Sequence, residues 1–276
     1  MKAQLTTVAA SLLALTTTAV IPAASADTGV QPNIVGGTGA TGNTSWMASL
    51  QYDAPDYGRT AYHTCGAVLV FRQWVVTGAQ CVTDDPSNPP GQVPTDKKTF
   101  SVRVGSKDRT KGGQVAKIKR IVVRAGWNWG QTAPVEDLVM AELDHPLDLQ
   151  PLQLAPRAPR PGTRIRLYGW GADDPAVPPT SLPRRLQQLD TTVVPAARCA
   201  NAFQSAGEFC TDNPHGTDGP GNGDSGSPAV QMVNGVPQLV GTCSRGGSAV
   251  PGEDTTVYTS VPDFRRWIYD VARDNA

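Results

Sequence analysis

Apolar and polar positions alternate along this chain in short runs separated by turn formers. Met47-Ala48-Ser49-Leu50, Cys65 to Val70 and Trp74 to Thr77 are rich in β-branched, aromatic and small apolar residues, which predicts strands. Further strands are expected near Phe100 to Val104 and Ile118 to Val123, and a buried one just after Asp137-Leu138. The second half repeats the style at Thr163 to Gly171, Leu186 to Val194, Ala229 to Val233, Leu239 to Ser244 and Thr256 to Val261. Pro86 to Pro94 reads as a loop, and Pro146 to Pro161 as a linker between two β subdomains. Only the end has helical period. Phe264, Trp267, Ile268 and Val271 fall at i, i+3, i+4 and i+7, and Ser260 with Asp263 offers a capping box. A helix over about 261–274, on the surface of the second half, is expected.

The amino end follows a different rule. Lys2 precedes an uncharged run to Ala26 whose apolar centre, Val8 to Ile21, is diluted by threonines and closes in Ala24-Ser25-Ala26. That is the pattern of a secretory signal peptide, 1–26, and it predicts export and an extracellular location. A short polar segment, 27–33, reads as a propeptide. No later run is apolar and long enough to cross a bilayer as a helix.

Composition sharpens the picture. The 28 glycines and 24 prolines suit short strands joined by many turns. Lys plus Arg equals Asp plus Glu at 24 each, which argues against nucleic acid or another polyanion as the main partner. Five cysteines in an exported chain suggest disulfides with one left over. Cys65 with Cys81 and Cys199 with Cys210 would close short loops, each bridge contributing about 3 kcal/mol. Cys243 is then the odd one, either a small buried apolar residue or a site of intermolecular pairing. No metal-ligand cluster or phosphate-cradling loop is visible, so no cofactor and no metal are expected.

Candidate chemistry centres on Gly223-Asp224-Ser225-Gly226-Ser227-Pro228. A serine between glycines on a tight turn exposes its hydroxyl, and the N–H groups of Gly223 and Ser225 can point at one developing oxyanion. Taken alone, the hexapeptide also fits an ordinary turn, the weaker of the two readings. Upstream lies Ile34-Val35-Gly36-Gly37. A cut after Asn33 would give Ile34 a free α-amino group, and Asp224 is the obvious carboxylate to receive it.

These motifs occur in one order: Ile34-Val35-Gly36-Gly37, the Cys65 and Cys81 pair, Asp137-Leu138, Tyr168-Gly169-Trp170-Gly171, Gly223-Asp224-Ser225-Gly226, Ser244 after a strand, Val257-Tyr258-Thr259 and a terminal helix. Together they resemble the trypsin-like, chymotrypsin-fold serine proteases, from Ile34 to the end of the chain. The resemblance implies an all-β protein of two six-stranded antiparallel barrels, about 34–150 and 151–260, followed by a C-terminal helix, with the active site between the barrels. It matches Ser225 to the nucleophile, Asp137 to the buried orienting acid, Gly223 and Ser225 to the oxyanion hole, Ile34 and Asp224 to the activation pair, and Ser244 to the serine that bonds the buried acid. His63 matches a histidine with a structural role.

One position breaks the match. Where the family has its general-base histidine, immediately before the second cysteine of the first disulfide, this chain has Gln80. A carboxamide does not titrate near neutral pH and cannot shuttle the serine proton. Neither of the other histidines, His145 and His215, stands at the matching position. The substrate pocket departs too. Gly219 replaces a charged base, Thr256 a wall glycine, and Arg245 the aromatic residue after Ser244, while Gly246 is kept. Gly221 stands where a pocket disulfide would begin. The expected function is a monomeric pseudoprotease that binds a protein, peptide or protease inhibitor. The alternative is a working serine endopeptidase with a non-standard base, such as a histidine of the substrate. Retention of Ser225, Asp137 and Ile34 favours the alternative.

Overall fold

The computed structural model describes residues 34–274 except 88, 134, 173–181, 200–203 and 249. The segments expected to be a signal peptide (1–26) and a propeptide (27–33), with the Asn33–Ile34 bond, lie outside the described residues.

After a two-residue strand, β1 (Thr38–Gly39), the chain winds a first barrel from β2 (Met47–Ala54), β3 (Arg59–Phe71), β4 (Trp74–Thr77), β5 (Thr99–Val104), β6 (Gln114–Val123) and β7 (Val139–Leu143). It closes in the order β2-β3-β4-β7-β6-β5, every pairing antiparallel. In β5 the valines and Phe100 point inward and the polar residues outward, the period-2 pattern of a barrel wall. β7 is buried along its whole length.

The second barrel follows β8 (Gln153–Leu154) and comprises β9 (Arg164–Gly169), β10 (Gln187–Val194), β11 (Glu208–Thr211), β12 (Pro228–Val233), β13 (Val236–Gly246) and β14 (Thr256–Ser260). Its strands run β10-β11-β14-β13-β12-β9, and pairing of β9 with β10 closes the circle. β1 adds to the edge of β10, and β8 lies parallel to β13. The two barrels share a core. Trp46 meets Tyr168 edge to face at 5.2 Å, and Tyr168, Trp170, Leu186, Val230 and Leu239 pack in one cluster with the interior of the first barrel.

Three expectations change. β11, Glu-Phe-Cys-Thr, is not in the sequence reading because a charge and a cysteine break its apolar run. The stretch from Pro146 to Pro161 is no loose linker: Leu147, Leu152, Leu154 and Ala155 are buried, and β8 hydrogen-bonds β13. The helix, α1, spans Arg265–Arg273 after a run of turns, begins at Phe264 without a side-chain cap, and leaves Ser260 inside β14. It also reaches the first barrel. Ile268 joins the shared cluster, Tyr269 meets Phe71 at 5.5 Å, and the Arg124 guanidinium covers Phe264 and Trp267.

Candidate active site

The two barrels meet at the turn that carries Ser225. The Gly66 amide of β3 donates to the Ser225 carbonyl at 2.8 Å, and a Cβ on Gly66 would fall 1.9 Å from Ser227 Oγ. Only glycine lets the first barrel approach so closely. The turn needs left-handed backbone at Gly223 (φ 99°) and Gly226 (φ 74°). Among the described residues, the Gly223 and Ser225 amides donate to no protein group. Both are thus free to bind an oxygen atom.

Asp224 points the other way, into the protein. Its Oδ1 accepts the Gly171 amide at 2.7 Å and its Oδ2 the Gly221 amide at 2.9 Å, with the Trp170 amide close by. Burial pushes its pKa up to about 7 against the pull of these amides. Ile34 is fully buried beside Ile165, Leu167 and Leu189, and Val35 exchanges two 3.1 Å hydrogen bonds with Gly219. Asp224 has no hydrogen-bond partner at Ile34 among the described residues.

Asp137 and Gln80 form the other half of the site. Asp137 sits one residue before the buried Leu138 and is 1% exposed. The Gln80 backbone amide donates to Asp137 Oδ1 at 3.0 Å, while Gln80 Nε2 and Ser244 Oγ donate to Oδ2 at 2.9 and 2.7 Å. Burial raises this carboxyl's pKa, and the hydrogen bonds from Ser244 and Gln80 work against it. Gln80 Nε2 also donates to the Ser244 carbonyl. The helical turn Ala79–Cys81 that presents Gln80 is tethered by the Cys65–Cys81 disulfide. Gln80, Gly223, Ser225, Ser244, Arg245, Gly246 and Thr256 all line one cavity of about 240 Å³.

The histidines lie elsewhere. His63 is 2% exposed, with Nδ1 2.8 Å from the fully buried Ser49 Oγ and Nε2 3.1 Å from the Gly223 carbonyl. Burial, then the charge of Arg109, lowers its pKa to about 3. The Ser49–His63 contact is therefore buried and does not line the cavity at Ser225. His145 pairs with Asp144 at 2.8 Å and His215 with Asp218 at 2.7 Å, and neither lines the cavity at Ser225.

Gly219 is not part of the cavity wall, although a Cβ on it would come 3.1 Å from Gly252 Cα and 3.9 Å from Thr256 Oγ1, two residues of that wall; the wall also carries Asp254. A Cβ on Gly221 would come 1.7 Å from the Ala172 carbonyl, which leaves no space for a cysteine there. Cys199 and Cys210 are bridged, and Cys243 is a free, buried thiol whose pKa burial raises. Arg245 does not face the cavity as a bare cation. Its Nη1 and Nη2 donate to the two carboxylate oxygens of Glu208 at 2.6 and 2.9 Å, and the Glu208 side chain is fully buried. Sequence reasoning missed Glu208. The available signal was a carboxylate inside an otherwise apolar strand, matched by a lone arginine in a strand two places across the same barrel. It also missed Asp254, another residue of the cavity lining.

The profile of the family described as Trypsin matches residues 34–268. Trypsin delta of Drosophila erecta is 28% identical over 244 residues, covering 85% of this chain and 87% of that protein. Kallikrein 1-related peptidase b16 of Mus musculus is 28% identical over 262 residues, covering 90% and 92%. Among solved structures, human heparin binding protein superposes with a TM-score of 0.68 at 25% identity, covering 87% of this chain and 97% of that one. With the two barrels, the Ser225 turn and the Asp137 cluster in place, the match over residues 34–268 makes this chain a member of the trypsin family of serine proteases.

Proposed function

We propose that this protein is an exported trypsin-family member that binds a protein, peptide or protease inhibitor in its cleft and does not cut it by the family's ordinary route. The observation that carries the reading is Gln80. Asp137, matched to the acid that orients an imidazole, instead holds a carboxamide: Gln80 Nε2 donates to its Oδ2 at 2.9 Å, beside the Gln80 backbone amide on Oδ1 at 3.0 Å. We assign Gln80 to the general-base position. A carboxamide neither takes the Ser225 proton nor returns one to a leaving amine, and in another triad protease removing the histidine costs roughly 10⁶ in turnover. No histidine among the described residues lines the cavity at Ser225: His63 is buried against Ser49 and the Gly223 carbonyl, and His145 and His215 pair with carboxylates outside the cavity. The disulfides and the signal-like amino end support export.

A second reading, an endopeptidase with a non-standard base, draws support from the uncommitted Gly223 and Ser225 amides. Labelling with a fluorophosphonate separates the two. Protein beginning at Ile34, its Gln80→His variant and its Ser225→Ala variant are compared. Only Gln80→His is expected to label. Labelling of the natural sequence at Ser225 at a comparable rate would overturn the proposal.

A further inference from the structure

Behind the Ser225 turn, on the outer face of the first barrel, lies a second cavity of about 330 Å³. Its wall includes Gln51, Tyr62, His63, Arg103, Arg109 and Thr110, and no aspartate or glutamate. Its two arginines form no ion pair with a carboxylate among the described residues. Arg103 Nη1 donates to the Gly112 carbonyl, and its buried Nε has no partner. Arg109 donates from Nε to the Pro183 carbonyl at 2.8 Å and from Nη2 to the Leu182 carbonyl at 2.6 Å. A third guanidinium, that of Arg59, stacks 4.4 Å above the Tyr62 ring with its own buried Nε unpartnered. The nearby acids are turned elsewhere: Asp53 accepts the Ala61 amide, and Asp108 is taken by Thr110 and Arg184. The Asp108 charge acts on Arg109 without an ion pair between them, and guanidinium groups held only by carbonyls beside a cavity favour an anion, most of all a planar carboxylate that can take two N–H groups at once.

The cavity is tied to the cleft through one ring. His63 forms part of its wall and reaches the Gly223 carbonyl with Nε2. A chain lying across the Ser225 turn needs only a few extended residues to pass over His63.

We propose that this cavity is an anion subsite that receives an acidic side chain of the protein or peptide held in the cleft, with Arg103 and Arg109 as its binding residues. The nature of the occupant rests on the ligand-binding role proposed above; the site itself does not. Binding here uses neither Ser225 nor Gln80, so its failure would leave the fluorophosphonate result untouched.

The test is fluorescence anisotropy with labelled hexa-glutamate and hexa-glutamine peptides on the whole folded protein. The proteins are the natural sequence, Arg103→Gln, and a control, Arg157→Gln, which removes an equal charge between β8 and β9 of the second barrel. The expected result is binding of hexa-glutamate only, weakened at least about tenfold by Arg103→Gln and unchanged by Arg157→Gln. Equal effects of the two substitutions, or no binding of hexa-glutamate at low salt, would overturn the proposal. Dextran sulfate serves as a second probe. If it binds through Arg103 and hexa-glutamate does not, the occupant is a sulfated polysaccharide and the acidic-protein assignment fails.

Discussion

Replacing Asp224 with asparagine should change the pH dependence of stability in a direction fixed by the structure. Asp224 is 1% exposed, and its described partners are backbone amides, with no cation among them. Burial raises its pKa from 3.8 to about 7. The folded protein therefore holds a proton that the unfolded chain gives up. The resulting stability is complete below about pH 4 and is lost as pH rises through about 7. A shift of about three units corresponds to roughly 4 kcal/mol. In Asp224→Asn the term is absent, while an amide group facing a backbone N–H adds a cost of about 1–3 kcal/mol that does not depend on pH. Urea unfolding of both proteins at intervals from about pH 4 to 7.5 isolates the term by difference, because every other titrating group is common to the two. The advantage of the natural protein should fall by roughly 4 kcal/mol across that window. A difference constant to within about 1 kcal/mol would refute the reasoning. Protein beginning at Ile34 supplies a cation: an α-ammonium group that reaches Asp224 favours its ionised form, so the slope should vanish and the melting temperature should exceed that of protein beginning at Asp27. Equal melting temperatures would show that the amine does not reach Asp224.

His63 carries the opposite sign. Its pKa is lowered to about 3, so its contribution is complete above about pH 6.5 and is lost as pH falls, and the acid-side loss should be smaller in a His63→Gln variant followed by the same urea titration. Cys81→Ser opens the 16-residue loop of the first disulfide and should lower the unfolding free energy by about 3 kcal/mol in chemical denaturation. Arg245→Ala removes the cation that pairs with the buried Glu208 carboxylate, leaving it the two Ser205 hydrogen bonds, and should cost about 3 kcal/mol in urea unfolding; a loss under about 1 kcal/mol would argue against the pair. Gly66→Ala drives a methyl group into Ser227 Oγ and should destabilise the Ser225 turn, read as a lower melting temperature and weaker labelling of the Gln80→His background.

Strand positions were legible where β-branched and aromatic residues ran together, as in Trp74–Thr77. They were not legible where tertiary context supplied the reason for a strand. Glu208 sits buried in β11 because Arg245 from β13 and the amide and hydroxyl of Ser205 meet its carboxylate, and no local pattern encodes the Arg245 pairing. The capping box failed similarly: Ser260 is committed to the β14 ladder with Gly241, so it cannot turn its hydroxyl to a helix end. In the site, Gln80, Ser225, Ser244, Arg245, Gly246 and Thr256 come together on one cavity. The subsite around Arg103 and Arg109 joins β5 to the loop beyond it, and only the closure of the barrel places both beside Tyr62 of β3.

Retention of the family motifs reads differently once their contacts are known. Ile34 is core, fully buried against Ile165 and Leu167. Asp224 fastens the turn through amides of Gly171 and Gly221, and the glycines at 169 and 171 exist to make room for it, since a Cβ at either would fall about 2 Å from its carboxylate. Asp137 bonds Ser244 and Gln80 with its carboxylate while its carbonyl accepts Thr259 Oγ1, joining the loop before β7 to the second barrel. Each of these residues would be costly to lose in a protein that never cuts a bond, because each leaves a buried polar group or a void behind. The Ser225 hydroxyl is different. It has no hydrogen-bond partner among the described residues and fills no core position, so the fold does not require it. Selection for stability alone would leave position 225 free to change. Ser225→Ala should therefore match the natural protein in melting temperature while Asp137→Ala and Asp224→Ala fall well below it, and a large loss on Ser225→Ala would mean that the hydroxyl, too, is held for packing.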